Sequence, residues 1–243
     1  MGVMISCDAI ILAGGFGTRL ASVVSDRPKV LADIDGRPFI EILLDSLADY
    51  GFQRVILAVG FKADIIQSLL GDSYRGMKII YSSESYPLGT GGSMAAASFF
   101  AEGEIVSVMN GDSWCKIDHS SVLQDFEKGL CNIALAIAHV PDASRFGMVE
   151  CDREGFISRF GEKEVSGGPG WINAGVYYFR RSVLEGLRRF PTPCSFEAEV
   201  LPSLLQSKIR AFPAQSEFID IGIPESYYSA PSFFRRNVAQ RGK

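Results

Sequence analysis

Within this 243-residue chain, the residue types best suited to chemistry are concentrated in Leu12-Ala13-Gly14-Gly15-Phe16-Gly17-Thr18-Arg19-Leu20, with Pro28-Lys29 a few residues on. An apolar run ends at Ala13, glycines open the backbone, and the cations Arg19 and Lys29 follow. Backbone N–H groups freed by glycine, together with fixed positive charge, suit the oxygens of a polyphosphate. Two commoner glycine motifs do not fit. Leu20 stands where a dinucleotide fingerprint needs its third glycine, and no Gly-Lys-Ser/Thr of a P-loop lies nearby.

Two acidic residues complete the chemistry. Asn110-Gly111-Asp112 follows an apolar stretch containing Ile105, Val106 and Val108, and Asp220-Ile221-Gly222 repeats the pattern much later in the chain. Alone, each aspartate is an ordinary turn residue. Facing a polyphosphate from two strand ends, the pair suits Mg²⁺, which takes few protein oxygens and fills its shell with phosphate and water.

The elements that must position these groups alternate. Asp8 to Ala13, Arg54 to Val59, Met77 to Ser82 and Glu104 to Asn110 read as strands. Phe39 to Tyr50, Lys62 to Leu70 and Gly92 to Phe100 read as helices between them. This rhythm predicts an α/β fold with a parallel, helix-covered sheet. The second half is richer in strands: Asn132 to Val140, Gly155 to Phe160, Trp171 to Phe179, Ile209 to Phe212 and Phe218 to Ile221. Helices are expected over Ser195 to Gln206 and from Pro224 onward, where proline suits a first turn. Open sheets of this kind bind ligands at the carboxyl ends of their strands. Gly14, Asp112 and Asp220 all fall there. The reading is one domain over 1–243, with an alternating half (1–130) and a strand-richer half (131–243).

Composition narrows the function. Net charge is −4, which argues against a nucleic-acid partner, and the basic end from Arg235-Arg236 to Lys243 is short. Apolar residues make up 47%, as in an ordinary globular protein. The five cysteines are widely spaced and form no C-x-x-C, which suits a reducing cytoplasm and no metal site of their own. No signal peptide is read. The longest apolar run, Ile133 to Ala138, is far too short to span a bilayer. A nicotinamide oxidoreductase fails on the missing third glycine.

The chain resembles the sugar-1-phosphate nucleotidyltransferases, also called nucleotide-sugar pyrophosphorylases. The resemblance rests on an ordered set: the glycine segment, Pro28-Lys29, Pro87-Leu88-Gly89-Thr90-Gly91-Gly92, Gly111-Asp112, Phe146-Gly147, Glu162-Lys163, Asn173-Ala174-Gly175 and Asp220-Ile221-Gly222. It implies a Rossmann-like three-layer α/β/α domain, a mostly parallel sheet of the nucleotide-diphospho-sugar transferase type, a nucleotide-binding half (1–130) and a β-rich sugar-phosphate-binding half (131–243). It also implies a reaction in which a sugar 1-phosphate attacks the α-phosphorus of a nucleoside triphosphate and pyrophosphate leaves. By the same resemblance Arg19 and Lys29 contact phosphates, and Asp112 and Asp220 hold Mg²⁺. Leu12, Ala13, Gly14, Gly15, Gly17, Thr18, Glu84, Gly89, Thr90 and Gly111 complete the nucleotide site. Lys163 meets the sugar phosphate, and Gly147, Glu162, Asn173 and Gly175 line the sugar pocket.

Glu84 lies five residues before Gly89, where relatives read the base. A carboxylate accepts both the N1–H and N2–H₂ of guanine, whereas uracil and thymine present one N–H between carbonyl acceptors. A buried carboxylate facing those carbonyls is penalised. GTP is therefore expected. Ser22-Val23-Val24-Ser25-Asp26-Arg27-Pro28-Lys29-Val30 and the compact length resemble the D-glycero-α-D-manno-heptose-1-phosphate guanylyltransferases, which implies a role in surface polysaccharide precursor synthesis. Mannose 1-phosphate as substrate, or a non-catalytic subunit that binds nucleotide sugar, are the alternatives. No hexapeptide repeat is read. The aromatic tail with Tyr227-Tyr228 and Phe233-Phe234 either covers the core or forms a homodimer face.

Overall fold

The computed structural model describes residues 7–161, 168–215 and 218–237. The chain runs through β1 (Cys7–Leu12), a small hairpin of β2 (Asp33–Ile34) and β3 (Arg37–Pro38), and helix α1 (Phe39–Asp49). Next come β4 (Arg54–Val59), α2 (Ala63–Leu70), β5 (Ser73–Tyr74), β6 (Met77–Ser83), α3 (Gly89–Ala97) and β7 (Ile105–Asn110). They are followed by β8 (Ser113–Cys115), α4 (His119–Glu127), β9 (Ile133–Val140), β10 (Val149–Cys151), β11 (Ile157–Phe160), β12 (Gly170–Arg180) and α5 (Arg181–Glu185). The last elements are α6 (Leu201–Leu204), β13 (Arg210–Pro213), β14 (Phe218–Asp220) and α7 (Pro224–Asn237).

Eight strands form one sheet in the order β13-β9-β12-β7-β1-β4-β6-β5. The pairs β7–β1, β1–β4, β4–β6 and β13–β9 are parallel, whereas β12 runs antiparallel to both of its neighbours. Alternation along each strand feeds two cores. Ala9 and Ile11 of β1 join Val55, Leu57, Ile172 and Tyr178 on one face, covered by α1, α2, α4 and α7. Ile10 joins Ile56, Val106, Val108, Tyr177 and Phe179 on the other, covered by α3, α5 and α6. Near-continuous apolar strands such as Val55 to Val59 follow from burial on both faces. Phe233 and Phe234 of α7 are buried and meet Trp114 edge to face, so these two aromatics cover the core.

Two expected helices differ. α3 begins at Gly89, three residues before the expected start, because its glycine-rich first turn is held from outside the helix. Gly91 N–H donates to the Cys194 carbonyl at 3.0 Å, and a Cβ on Gly91 would stand 2.8 Å from Cys194 Sγ. The helix expected over Ser195 to Gln206 opens as a wide π turn, Phe196–Val200, before the single α turn of α6. Pro202 has no N–H with which to close an α turn onto Ala198.

Candidate active site

β1 sits between β4 and β7, whose connections leave the sheet on opposite sides. This is a switch point, where the parallel strand ends splay and leave a crevice. Beyond β1, Ala13 N–H bonds the Ala58 carbonyl of β4 at 2.8 Å. A Cβ on Gly14 would come 3.3 Å from Gly60 N, so glycine keeps the two strand ends close. On the other side Gly111 N–H bonds the Leu12 carbonyl at 3.0 Å, and a Cβ there would lie 2.5 Å from that oxygen. Glycines thus draw the ends of β1, β4 and β7 together around a cleft of about 850 Å³.

The charged end of the cleft holds Lys29, Asp112 and Asp220, with Arg19 also on its wall. Lys29 Nζ donates to Asp112 Oδ2 and is largely withdrawn from solvent. β14 pairs antiparallel with β8, which sets Asp220 opposite Ser113, and Ile221 N–H bonds the Asp112 carbonyl at 2.9 Å. Gly222 N–H caps Asp220 Oδ1 at 2.5 Å, and Lys29 Nζ lies 2.9 Å from where a Gly222 Cβ would be. Burial, and then the Asp112 charge, raise the Asp220 pKa; Lys29 and Arg145 pull it down. Two neighbouring carboxylates with a cation beside them form a donor set that a divalent metal and phosphate oxygens would complete. Among the described residues no group of three or more His, Cys, Asp or Glu stands ready to hold a metal, so such an ion would depend on its substrate oxygens.

Glu84 follows the end of β6 on the same cleft. Its Oε2 accepts from Leu88 N–H at 3.4 Å, while Oε1 is buried with no hydrogen-bond partner among the described residues. Burial raises the Glu84 pKa, against the Ser93 hydroxyl and the Leu88 N–H. A buried acceptor without a donor is costly and calls for an explanation in a ligand or water.

The far wall comes from β12. Its register against β9 shifts between Asn173 and Tyr177, and within that irregularity Gly175 takes φ +72°. A Cβ on Gly175 would lie 2.7 Å from Asn110 Nδ2 and 2.8 Å from Ser113 Oγ, so only glycine fits. Asn173 Oδ1 accepts from Gly175 N–H at 2.8 Å.

The cleft therefore gathers Leu12, Ala13, Gly14, Gly15, Arg19, Lys29, Glu84, Gly89, Thr90, Gly111, Asp112, Gly147, Asn173, Gly175 and Asp220 from across the chain. Gly17 and Thr18 do not line it. Gly17, at φ +61°, packs beneath Lys29, whose Cβ would meet a Gly17 Cβ at 3.1 Å. Glu162 and Lys163 lie outside the described residues. Sequence reasoning missed Arg145, Asn110, Phe16 and Glu197, all on the cleft wall. Arg145 could have been suspected from its place beside Phe146-Gly147. Glu197 carries no local signal.

A family model for nucleotidyl transferases matches residues 8–237, and the chain belongs to that family. It is 38% identical to the D-glycero-alpha-D-manno-heptose 1-phosphate guanylyltransferase of Campylobacter jejuni, over 90% of this chain and 96% of that protein. It is 36% identical to the protein of the same name from Aneurinibacillus thermoaerophilus, over 92% and 96%. Among solved structures, HddC from Yersinia pseudotuberculosis superposes with a TM-score of 0.81 at 38% identity, covering 93% of this chain and 99% of that one. HddC complexed with GMP-PN matches with a TM-score of 0.80. Among the described residues no helix is long and apolar enough to cross a membrane.

Proposed function

We propose that this protein is an Mg²⁺-dependent guanylyltransferase that joins GTP to D-glycero-α-D-manno-heptose 1-phosphate, forming the GDP-sugar and pyrophosphate for surface polysaccharide synthesis. The observation that carries the reading is one cleft with the Lys29–Asp112–Asp220 group at one end and the unpartnered Glu84 Oε1 on its wall. The two heptose 1-phosphate guanylyltransferases above, matched over nearly their whole length, support the sugar. The GMP-PN complex of HddC supports the guanine nucleotide.

In the reaction an oxygen of the sugar 1-phosphate bonds to the α-phosphorus of GTP, the bond from that phosphorus to the α–β bridging oxygen breaks, and pyrophosphate departs. The attacking phosphate is already ionised near neutral pH, so the chain need not supply a base. Its work is positioning and charge neutralisation. Arg19 and Lys29 face the triphosphate, and the glycine-opened backbone after β1 lets it approach. Asp112 and Asp220 would hold Mg²⁺, which when bound adds positive charge against the phosphate oxygens. Glu84 Oε1 accepts from the guanine edge. Lys163 meets the sugar phosphate, and Gly147, Glu162, Asn173 and Gly175 hold the sugar. Five free cysteines suit the reducing cytoplasm.

Pyrophosphate release from a matrix of GTP, ATP, UTP and dTTP against manno-heptose, mannose and glucose 1-phosphates tests the reading. Release is expected to be fastest with GTP and heptose 1-phosphate, by about tenfold over mannose 1-phosphate. Fastest release with a pyrimidine nucleotide, or none with any pair, overturns it.

A further inference from the structure

One wall of the cleft carries a hydrogen-bond relay built from residues distant in sequence. Glu197 accepts from Thr90 Oγ1 at 3.0 Å through Oε2 and from the Tyr177 hydroxyl at 3.0 Å through Oε1. Thr90 Oγ1 accepts from Phe196 N–H at 2.7 Å, so its one proton is free to go to Glu197. The Tyr177 hydroxyl, having given its proton to Glu197, accepts from Asn173 Nδ2 at 2.7 Å. Asn173 Oδ1 meanwhile takes the Gly175 N–H. Every donor and acceptor in this run has one allowed direction, and the carboxylate at its end sets it. Burial and the Glu197 charge both raise the Tyr177 pKa, which keeps the phenol protonated as the donor.

The relay leaves two capacities unused. A carboxylate offers about four acceptor sites, of which two are taken, and the Asn173 amide has a second N–H. Both residues line the cleft. We propose that Glu197 is a specificity-determining residue: with Asn173, whose amide it orients through Tyr177, it forms an acceptor–donor pair that reads two neighbouring hydroxyls of a pyranose ring. One hydroxyl donates to Glu197, and the oxygen of the next accepts from Asn173. This rests on the sugar-phosphate reading and adds to it what the Glu197–Asn173 wall selects, a diol of defined geometry. A glutamine at 197 cannot replace the carboxylate. Its amide nitrogen would face either Thr90, whose proton then has no acceptor, or Tyr177, which would then have to donate to Asn173 and turn its amide away from Gly175.

The test is a cycle between protein and ligand. Calorimetry measures binding of heptose 1-phosphate, and of analogues each lacking one ring hydroxyl, to wild type, E197Q and Y177F saturated with a nonhydrolysable GTP analogue. Turnover with GTP is measured in parallel. In wild type, removal of one of the paired hydroxyls is expected to weaken binding about tenfold. E197Q is expected to bind the parent sugar about tenfold more weakly and to bind that deoxy analogue no worse than the parent. Y177F loses a smaller factor at the same hydroxyl, and it carries the test if E197Q does not fold. The proposal is overturned if E197Q binds the parent sugar within twofold of wild type, or if every deoxy analogue loses the same factor in all three proteins. If the cycle holds while wild type releases no pyrophosphate, the diol site stands and the guanylyltransferase reading falls. Normal turnover with an additive cycle gives the reverse.

Discussion

The two ends of the cleft solve different problems. At the charged end, ionic groups are concentrated. Asp220 is half-buried beside Asp112, its pKa is raised, and Lys29 offsets only part of the cost. Along the relay, Thr90, Tyr177 and Asn173 are satisfied through a single carboxylate, with defined hydrogen-bond polarity. A charged ligand would complete the first arrangement, whereas the internal hydrogen bonds of the second are already made. Binding therefore relieves electrostatic strain at one end and exploits preorganised geometry at the other.

Breaking the charged end is expected to have the largest effect. Asp112→Asn should lower kcat by about 10³-fold or more while leaving the circular dichroism spectrum unchanged, as expected for the loss of a charge acting at the reacting phosphate. A near-normal rate would remove Asp112 from the chemistry. Glu84→Gln should reduce the kcat/KM preference for GTP over UTP by about tenfold, since the amide no longer accepts two guanine N–H groups. An unchanged ratio would mean that the base is read elsewhere.

Asp220 sharpens the contrast through pH. The folded chain binds the Asp220 proton more tightly than the unfolded chain does, so the carboxylate subtracts stability at neutral pH, and the loss fades as pH falls through the raised value. Asp220→Asn should therefore raise the Tm of the metal-free protein at pH 7 by roughly 2–4 °C, which is the shift expected for about 1 kcal/mol at this size, while turnover is lost. In wild type the acid limb of turnover should lie above the ordinary aspartate range and move lower as Mg²⁺ is raised, because metal competes with the proton. A lower Tm for the variant would contradict the strain at this end.

What could be read from the sequence follows the same division. The charged end was legible because glycines and aspartates stand immediately after apolar strands and do so together at several points of one chain, although each alone is an ordinary turn signal. The parallel sheet was legible because its strands are buried on both faces and read as unbroken apolar runs. The relay was not legible. Its members lie at 90, 173, 177 and 197, and they become neighbours only after the β12 register shift, the π turn and the early start of α3 bring them together. Each of these is a tertiary override of local pattern. The packing of Gly17, at positive φ, against Lys29 was not legible either, since it too forms only in the folded chain.

The central claim is that this cleft transfers the nucleotide to a sugar phosphate. ³¹P nuclear magnetic resonance of the protein with GTP, heptose 1-phosphate and Mg²⁺ tests it most directly, because it follows each phosphorus atom. The account predicts that the GTP and sugar-phosphate resonances fall together while a sugar-linked diphosphate and an equal amount of pyrophosphate grow in. Release of inorganic phosphate from the γ position, or GTP consumed with the sugar phosphate untouched, would contradict it.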